Sequence, residues 1–342
     1  MKPPIKEHFP LKSYNTFGVE AFARFFVEIA NEEELTQLFG HQRDTTLNPM
    51  LVLGGGSNIL FTQDFDGLVI HMTSDNIRHE ISGTTATVTA GAGVVWNELV
   101  WYCVNRGFGG IENLALIPGT VGAAPIQNIG AYGVELGDVF VSCRVFDTQR
   151  VEFLTFTKAD CRFAYRDSIF KHEAKGRYII TDVTLNLSLT PALNTSYGAI
   201  ESELSRRHIS NPSIKDIADV VSAIRTDKLP DPATIGNSGS FFKNPIITVQ
   251  QLDGMRTAWP GLDFVFYPVD TDRVKLAAGW LIEQCGWKGK RVGDAGTWKN
   301  QALVLVNHQN ATGAEIYNLS EQIIHDVKER FGITLEREVN IL

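Results

Sequence analysis

Hydrophobic and polar positions in the first half of the chain alternate between strand-like and helix-like spacing. Ala21–Ala30 has the apolar character of a strand, and Asn31 is placed to cap a helix that continues to Gly40. Met50–Leu53 predicts a short buried strand that ends at three consecutive glycines. Similar patterns predict further strands at Gly67–Met72, Ala86–Ala90 and Cys143–Asp147, and a helix at Val95–Asn105 that stops at Gly107. These elements favour an α+β lobe.

The last third of the chain has its own set of predicted elements. Prolines and small residues in Arg225–Gly239 indicate a boundary before it. Thr312 and Glu315 have the spacing of a capping box, which predicts a long helix that runs to Phe331 and ends at Gly332. Apolar spacing also predicts an amphipathic helix at Lys275–Cys285 and strands at Ala302–Asn307 and Ile333–Val339.

Composition and charge restrict the class of protein. A chain of 342 residues exceeds the roughly 250–300 residues at which single cores stop growing, so two or three lobes are expected. The formal charge of −8 disfavours a nucleic-acid partner. The four cysteines are widely spaced, which predicts reduced core thiols and no metal site. Because the chain has neither a secretory apolar stretch behind its N-terminus nor a run of about 18 apolar residues, we expect a cytoplasmic protein without membrane insertion.

Two glycine-rich turns are candidates for phosphate binding. In Leu53–Asn58, the amides of Gly54, Gly55 and Gly56 can form a nest for phosphate oxygens, to which Ser57 and Asn58 can add hydrogen bonds. Gly91–Gly93 precedes a predicted helix and offers a second turn of this kind. An ordinary tight turn is the alternative interpretation of each segment, and taken alone Gly91–Gly93 fits an ordinary turn better than a phosphate site. Neither has the spacing of a dinucleotide-fold or P-loop motif.

A longer glycine-rich segment has the character of a cofactor surface. Gly107–Gly137 contains eight glycines and only two charged residues, so it is too rich in glycine for a helix and too apolar for a free loop. Within it, Ile117–Gly133 offers small side chains, backbone amides and neutral hydrogen-bonding groups. A planar ring such as isoalloxazine needs that kind of surface. An irregular structural loop is the alternative interpretation.

Six segments match one known family in the same order along the chain. They are Tyr14–Gly18, Leu53–Asn58, Glu112–Gly133, Tyr165–Ser168, Gly239–Pro245 and Leu335–Val339. Through them nearly the whole chain resembles the UDP-N-acetylenolpyruvoylglucosamine reductases of peptidoglycan precursor synthesis. The resemblance is to the subclass in which an extra tyrosine loop covers the substrate, since Tyr197 falls where that loop belongs.

The resemblance implies an α+β fold with an FAD-binding lobe of the vanillyl-alcohol-oxidase (PCMH) type and a C-terminal α+β substrate-binding domain. The implied boundaries are 1–75 for a first FAD-binding subdomain, joined by a C-terminal strand at 333–342, then 76–229 for a second subdomain and 230–332 for the substrate domain. The implied cofactor is non-covalent FAD, with NADPH as co-substrate in the same pocket as a UDP-linked amino-sugar substrate. A monomer is expected.

The same resemblance implies which residues form the site. Those expected to hold FAD are Gly54, Gly55, Gly56, Ser57, Asn58, Ile117, Pro118, Gly119, Gly122, Ala123, Gln127, Asn128, Gly130, Ala131 and Tyr132. Those expected to contact the nucleotide sugar are Tyr197, Lys228, Asn244 and Gln301, with Lys243 as a weaker candidate. No metal ligand is implied.

Three residues match the catalytic positions of the family. Ser240 corresponds to the proton donor, Arg166 to the arginine that holds the substrate carboxylate, and Glu338 to a glutamate that could stay protonated beside the enolate. From the residues alone, Ser240 could instead cap a turn and Arg166 could belong to a surface cluster with Asp167 or Arg162. Glu338 could likewise form a solvated edge-strand pair with Glu336.

The expected reaction is the NADPH-dependent reduction of an enolpyruvyl ether to UDP-N-acetylmuramate, with a hydride delivered by FAD and a proton by Ser240. This activity belongs to cell-wall biogenesis, and through it to cell shape, division and the cell cycle. Two alternatives are a flavin-dependent oxidase of the same fold and a non-catalytic nucleotide-binding protein. An oxidase leaves the three candidate catalytic residues without a task, and a non-catalytic protein would purify without a tightly bound yellow cofactor.

Overall fold

The computed structural model describes residues 3–40 and 47–342, so residues 1–2 and 41–46 lie outside the described residues. The strands are β1 (Lys6–Pro10), β2 (Phe22–Ile29), β3 (Met50–Leu53), β4 (Ile59–Leu60), β5 (Phe65–Met72), β6 (Ile77–Ser82), β7 (Thr85–Gly91), β8 (Gly130–Ala131), β9 (Val134–Glu135), β10 (Phe140–Asp147), β11 (Glu152–Thr157), β12 (Tyr178–Ser188), β13 (Gly236–Ser240), β14 (Ile246–Thr248), β15 (Phe266–Pro268), β16 (Arg273–Leu276), β17 (Arg291–Val292), β18 (Ala295–Thr297), β19 (Val304–Asn307) and β20 (Asn340–Ile341). The helices are α1 (Glu32–Phe39), α2 (Trp96–Val104), α3 (Leu136–Val139), α4 (Lys158–Cys161), α5 (Gly198–Arg206), α6 (Ile214–Lys228), α7 (Val249–Ala258), α8 (Ala278–Gln284) and α9 (Gly313–Phe331). Short 3-10 helices include Glu112–Leu114 and Val121–Gln127.

The chain folds into two compact units that each combine several segments. Of the described residues, the first unit contains those that fall within Met1–Phe9, Phe22–Gly56 and Phe65–Thr226. The second unit consists of Pro10–Ala21, Ser57–Asp64 and Asp227–Leu342. The division into three domains that the family resemblance implies stays a prediction.

The first unit contains two main sheets. One has the strand order β1-β2-β5-β3, and β5 is parallel to both β2 and β3. The other is antiparallel with the order β11-β10-β12-β7-β6. Helix α1 begins as the sequence predicts, because the side chain of Asn31 accepts a hydrogen bond from Glu34 N at 3.0 Å. The glycine-rich segment lies in this unit as short 3-10 turns and the β8–β9 hairpin.

Alternating residues on the strands of the first unit build its cores. Val183, Leu185 and Leu187 of β12 are buried in one cluster with Ile217 and Val221 of α6. A second cluster joins apolar residues of β2 and β5 to the two buried leucines of α1. Burial of each such side chain contributes about 1.5–3 kcal/mol relative to exposure. The hydrophobic pattern of the strands therefore decides which sheet face carries the helices.

The second unit places a long helix beside a four-stranded sheet. The strand order is β13-β19-β18-β17, and α9 packs against β18 and β19. The predicted ends of α9 are confirmed, because Thr312 and Glu315 form a complete capping box and Gly332 closes the helix at a φ of 70°. A separate three-stranded sheet has the order β14-β16-β15, and β20 pairs with β4 in parallel.

Two sequence predictions in this unit were wrong. Lys275–Cys285 is not one helix, because Arg273–Leu276 is the central strand β16, bonded to strands on both sides, and only Ala278–Gln284 is helical. Ile333–Val339 is not a strand, because its backbone forms only an isolated bridge between Arg337 and Phe242. Among the described residues, no helix combines the length and hydropathy that a membrane crossing requires.

Replacement of Asp147 by asparagine is expected to destabilise the first unit in a pH-dependent way. Asp147 is fully buried, accepts hydrogen bonds from Arg177 Nη2 at 2.5 Å and Nε at 3.1 Å, and its pKa is lowered chiefly by that arginine. Loss of the charge should remove about 3 kcal/mol of unfolding free energy near neutral pH. Because the pKa is lowered, this contribution is complete above the ordinary carboxyl value and disappears as the pH falls through the native value.

Urea unfolding of the wild type and Asp147→Asn at pH 7 and at about pH 3 tests this expectation. The difference between the two proteins should narrow at the lower pH. Asp66→Asn is the control, because Asp66 is exposed and pairs with Arg24 at 3.4 Å on the surface. An Asp147→Asn effect as small as that of the control, or one that persists unchanged in acid, would contradict the interpretation.

Candidate functional site

Three glycine-rich turns that the sequence singles out meet in the first unit. A Cβ on Gly55 would lie 3.2 Å from the Cα of Gly119, and a Cβ on Gly122 would lie 2.6 Å from the Cβ of Ala92. Gly122 N also donates to Ala92 O at 2.9 Å. The turns therefore approach so closely that a side chain at Gly55 or Gly122 would collide with the facing turn.

The start of α2 holds the glycine-rich segment in place. Trp96 is buried, its backbone N donates to Gly119 O at 3.0 Å, and its indole Nε1 donates to Leu114 O at 3.0 Å. Asn97 Oδ1 accepts a hydrogen bond from Leu116 N at 2.7 Å. Because these bonds tie the segment to a helix at several points, the stretch from Ile117 onward has a fixed path despite its glycines.

Asn128, a predicted cofactor residue, uses its side chain to fix the segment. Its Nδ2 donates to Glu135 at 2.8 Å and to Ala164 O at 3.2 Å, and its Oδ1 accepts from Gly137 N at 2.8 Å. The residue is buried and has a left-handed φ of 45°, a conformation that asparagine tolerates better than most residues. The structure thus gives the Asn128 amide a role in shaping the loop.

Arg166 lies against the same segment. Its Nη2 donates to Gly130 O at 2.5 Å, and a Cβ on Gly130 would lie 3.1 Å from Nη1. The two residues with which it might have clustered have other partners, since Asp167 contacts His172 at 2.8 Å and Arg162 contacts Glu173 at 2.5 Å. Arg166 is therefore placed at the glycine-rich segment.

Arg225 also lies beside the glycine-rich segment, and the sequence analysis did not predict it as a site residue. Its Nε donates to Leu116 O at 3.3 Å. Burial lowers its pKa, and so does the charge of Arg166, while Tyr132 acts in the opposite direction. Two guanidinium groups, those of Arg166 and Arg225, thus lie in the part of the first unit that holds the glycine-rich segment. Arg225 follows Val221 by four positions on α6 and so falls on its buried face, a signal that the sequence did contain.

Tyr197 of the predicted substrate-covering loop also reaches the glycine-rich segment. Its ring lies 5.2 Å from that of Tyr132 in an edge-to-face arrangement. Burial raises the pKa of Tyr132, and Arg225 partly opposes that shift. Tyr132, Arg166 and Tyr197, which were predicted from separate motifs, are thus all placed at the glycine-rich segment of the first unit.

Ser240 and Glu338 are neighbours in the second unit. Ser240 ends β13 after Gly239, whose φ is 68°, and the register of β13 shifts between Asn237 and Ser240. Phe241 O, one residue after Ser240, accepts a hydrogen bond from Glu338 N at 2.8 Å. A shift of this kind re-aims a side chain at the edge of a sheet.

The two glutamates that flank Arg337 differ in their surroundings. Glu336 is largely exposed and forms an ion pair with Lys243 Nζ, which disfavours a role for Lys243 in substrate binding. Glu338 is half-buried, and its carbonyl accepts a hydrogen bond from Asn58 Nδ2 at 3.3 Å. Two equivalent solvated carboxylates, the alternative from the sequence, are therefore not observed.

Arg337 connects the segment that carries Glu338 to helix α9. Its Nε donates to the hydroxyl of Ser320 at 2.8 Å, its Nη2 pairs with Glu321, and its guanidinium lies 4.6 Å from the ring of Tyr317. Ser320 is fully buried. The backbone of Glu338 is thus held by β13 on one side and, through Arg337, by the helix on the other.

Two predicted substrate residues, Asn244 and Gln301, lie near the start of α8 in the second unit. Asn244 Oδ1 accepts a hydrogen bond from Ala278 N at 2.9 Å, and a Cβ on Gly279 would lie 2.5 Å from Gln301 Oε1. Lys228 is exposed, and its neighbour Asp227 accepts a hydrogen bond through its carbonyl from Asn300 Nδ2 at 3.0 Å. Since the oxygens of both amides face the helix start, their nitrogens remain to donate.

One cluster of possible metal ligands occurs elsewhere on α9. The ligand atoms of His325, Asp326 and Glu329 lie within 4.8 Å of one another. Asp326 Oδ2 already accepts a hydrogen bond from Trp287 Nε1 at 2.9 Å. Surface groups of this kind are common without an ion, and nothing else in the described residues points to one here.

Comparison with known proteins relates these features to one family. A model of the UDP-N-acetylenolpyruvoylglucosamine reductase C-terminal domain matches residues 231–342, and a model of an FAD binding domain matches residues 23–151. UDP-N-acetylenolpyruvoylglucosamine reductase of Flavobacterium johnsoniae is 47% identical over 342 residues, with 99% of each chain covered. That of Pseudomonas aeruginosa is 46% identical, with 100% of each covered.

A solved structure supports the same relationship. The UDP-N-acetylenolpyruvylglucosamine reductase of Thermus caldophilus is similar over 100% of this chain and 99% of its own, with a TM-score of 0.68 and 26% identity. The α+β fold with an FAD-binding lobe and a separate C-terminal domain is confirmed. The chain belongs to the UDP-N-acetylenolpyruvoylglucosamine reductase family.

Proposed function

We propose that the chain reduces UDP-N-acetyl-3-O-(1-carboxyvinyl)glucosamine to UDP-N-acetylmuramate with NADPH, in peptidoglycan precursor synthesis. The observation that carries this proposal is the 46–47% identity, over nearly the whole chain, to reductases of that name. The protein is an FAD-containing oxidoreductase. The same relatives disfavour the oxidase and the non-catalytic protein considered from the sequence.

The glycine-rich turns fit FAD. The cradle in which Gly55 faces Gly119 and Gly122 faces Ala92 has no space for added side chains, so a ligand there would meet main-chain groups, the glycine amides of Gly54–Gly56 among them. Such amides suit a pyrophosphate. We expect Gly54–Gly56 and Ile117–Tyr132 to hold the cofactor, with Ser57 and Asn58 adding hydrogen bonds. When bound, FAD supplies the transfer of a hydride from NADPH to the alkene carbon of the substrate.

Ser240 is the proposed proton donor. Reduction of the enolpyruvyl group places negative charge on the carbon next to the carboxylate, and that carbon must take up a proton. A serine hydroxyl is acidic enough because the carbanion-like centre is more basic than the alkoxide that remains. The register shift at the end of β13 supports the assignment, because it sets Ser240 apart from the regular strand.

Arg166 and Glu338 are proposed to stabilise the negative charge of the substrate carboxylate and of the enolate. The guanidinium of Arg166 can hold the carboxylate through two parallel hydrogen bonds and stabilise the enolate as charge moves onto it. Its bond to Gly130 O orients it for that task. The Glu338 carboxyl, on a segment bonded to the residue after Ser240, can donate a hydrogen bond to the enolate or relay a proton.

The remaining groups are proposed to bind the nucleotide sugar. Asn244 and Gln301 offer amide donors at the start of α8, Lys228 offers a cation for the diphosphate, and Tyr197 offers an aromatic surface. NADPH would use the same pocket in turn. We further propose a cytoplasmic monomer, and the free state of all four cysteines agrees with a reducing compartment.

A valine at Gly55 is expected to weaken FAD binding. A Cβ there would press on Gly119 at 3.2 Å and force apart two turns that are proposed to hold the cofactor. We expect the affinity for FAD to fall about tenfold or more, which corresponds to about 1.4 kcal/mol. The ratio of flavin to protein after purification and a titration of apoprotein with FAD measure it.

Gly261→Val is the matched control, because a Cβ at Gly261 meets nothing within 4 Å. Its flavin content should equal that of the wild type. If Gly55→Val also binds FAD normally, the assignment of the first glycine turn to the cofactor is wrong.

Removal of the Ser240 hydroxyl is expected to separate the two halves of the reaction. In Ser240→Ala, NADPH should still bleach the flavin, because no proton donor to the substrate is needed at that stage. The return of the yellow colour on addition of the enolpyruvyl substrate should slow by about a hundredfold or more. Anaerobic stopped-flow absorbance resolves the two rates.

Ser238→Ala is the control for this experiment. Ser238 lies on the same strand, and its buried hydroxyl has no hydrogen-bond partner among the described residues, so its loss should leave reoxidation unchanged. Reoxidation of Ser240→Ala at the rate of the wild type would remove Ser240 from the mechanism.

A further inference from the structure

Arg166 has a backbone conformation that residues with side chains rarely adopt. Its φ is 54°, in the left-handed region. It is the third residue of a four-residue turn, which Ala164 and Asp167 close by exchanging two backbone hydrogen bonds of 3.1 Å. Glycine usually provides a positive φ at that position of a turn. An arginine stays there only where the surrounding contacts determine its conformation.

Side chains from outside the turn provide such contacts. Lys171 Nζ donates a hydrogen bond to Arg166 O at 3.2 Å. Asn128 Nδ2 donates to Ala164 O at 3.2 Å, and the carboxylate of Asp167 contacts His172 Nε2 at 2.8 Å. Of these three contacts, the one from Lys171 reaches the backbone of Arg166 itself.

Lys171 approaches the turn from a fixed position. It is the last residue of the 3-10 helix Ile169–Lys171, and its backbone N donates to Ser168 O at 3.1 Å. Ser168 is 1% exposed, and its hydroxyl donates to Ile126 O of the glycine-rich segment at 2.6 Å. The base of the lysine side chain is thus tied to the same segment that Arg166 faces.

The conformation of the turn decides where the guanidinium of Arg166 lies. The guanidinium carbon is 5.3 Å from the centre of the Tyr165 ring, and Nη2 donates to Gly130 O. A change in the backbone angles of Arg166 would swing the whole side chain away from Gly130. A contact that holds the Arg166 carbonyl therefore also holds the direction of the guanidinium.

We infer that Lys171 is a positioning residue that keeps Arg166 in its left-handed turn and so aims the guanidinium at the substrate carboxylate. The inference rests on the proposed function of Arg166. A donor that is already in place when negative charge develops on the enolate needs no reorganisation during the reaction. Lys171 itself does not need to touch the substrate, because it acts through the carbonyl of Arg166.

Lys171→Met in the FAD-loaded enzyme tests the inference with little risk to the fold, because Lys171 is only half-buried and methionine keeps most of its apolar stem. In anaerobic stopped-flow absorbance, reoxidation of the flavin by saturating enolpyruvyl substrate should slow about tenfold, since the guanidinium is misplaced. The rate at which NADPH bleaches the flavin should change by about twofold or less. Lys171→Arg, which keeps a donor, should reoxidise within about twofold of the wild type.

A double-mutant cycle separates positioning from a general structural role. In an Arg166→Ala background, Lys171→Met should slow reoxidation no further, because the guanidinium that the lysine positions is already gone. Lys175→Met is the matched control, since Lys175 is an exposed lysine four positions further along the chain, and it should reoxidise as the wild type does. Flavin content and melting temperature report on general damage.

The outcomes distinguish the inference from the function on which it rests. Lys171→Met overturns the inference alone if it reoxidises at the wild-type rate, or if it slows Arg166→Ala as much as it slows the wild type. Loss of flavin, or equal slowing of bleaching and reoxidation, indicates a merely structural role and also overturns it. Normal reoxidation in Arg166→Ala rejects the role of Arg166 and the inference with it. Absence of product from the wild-type holoenzyme would instead reject the proposed reaction.

Discussion

The close approach of Gly122 to Ala92 is the constraint on which the first unit depends. The backbone of the 3-10 helix Val121–Gln127 lies so near the turn after β7 that a single added methyl group would collide with Ala92. Because of that proximity, Val121 N and Gly122 N donate hydrogen bonds to carbonyl oxygens of this turn. The proximity also lets Trp96 N, at the start of α2, donate to Gly119 O. Glycine here is required by space and not by flexibility, and a loop packed in this way can carry functional groups as firmly as a strand does.

In the second unit, hydrogen bonds fix the position of an irregular segment that carries a functional residue. The segment before β20 has too few backbone partners to form a regular strand, yet Glu338 has a defined place because the bonds at Phe241 and Lys243 fix it. A glutamate on a fully paired strand would have its carboxyl set by the alternation of that strand. An irregular segment lets Glu338 and Glu336 occupy different surroundings, one half-buried and one in an exposed ion pair.

The sequence predicted the elements whose causes are local. Helix α9 was located at both ends because a capping box and a terminal glycine are encoded within a few residues, and β3 was located because its apolar run is bounded by glycines. The strand at Arg273–Leu276 was missed although its partner β15 precedes it by only a short loop, because its apolar residues continue the spacing of helix α8. The alternation at Ile333–Val339 is real, but alternation predicts a strand only where a neighbouring strand exists to pair with it.

The motif residues of the site were predicted through the family resemblance. The hydrogen bond from Asn113 Nδ2 to Asn194 O, which joins two loops of the first unit, was not predicted, because the two residues lie 81 positions apart along the chain.

The hydrogen bond from Arg337 to Ser320 constrains the number of residues between these two positions. Ser320 lies near the middle of α9, and the chain must complete that helix, turn at Gly332 and return with the number of residues that brings Arg337 opposite the hydroxyl. One residue more or fewer in the helix after Ser320 would rotate everything beyond it by about 100°, since a turn holds 3.6 residues. Insertions and deletions in related chains should therefore be rare in this interval, even though most of its outward-facing side chains are free to vary.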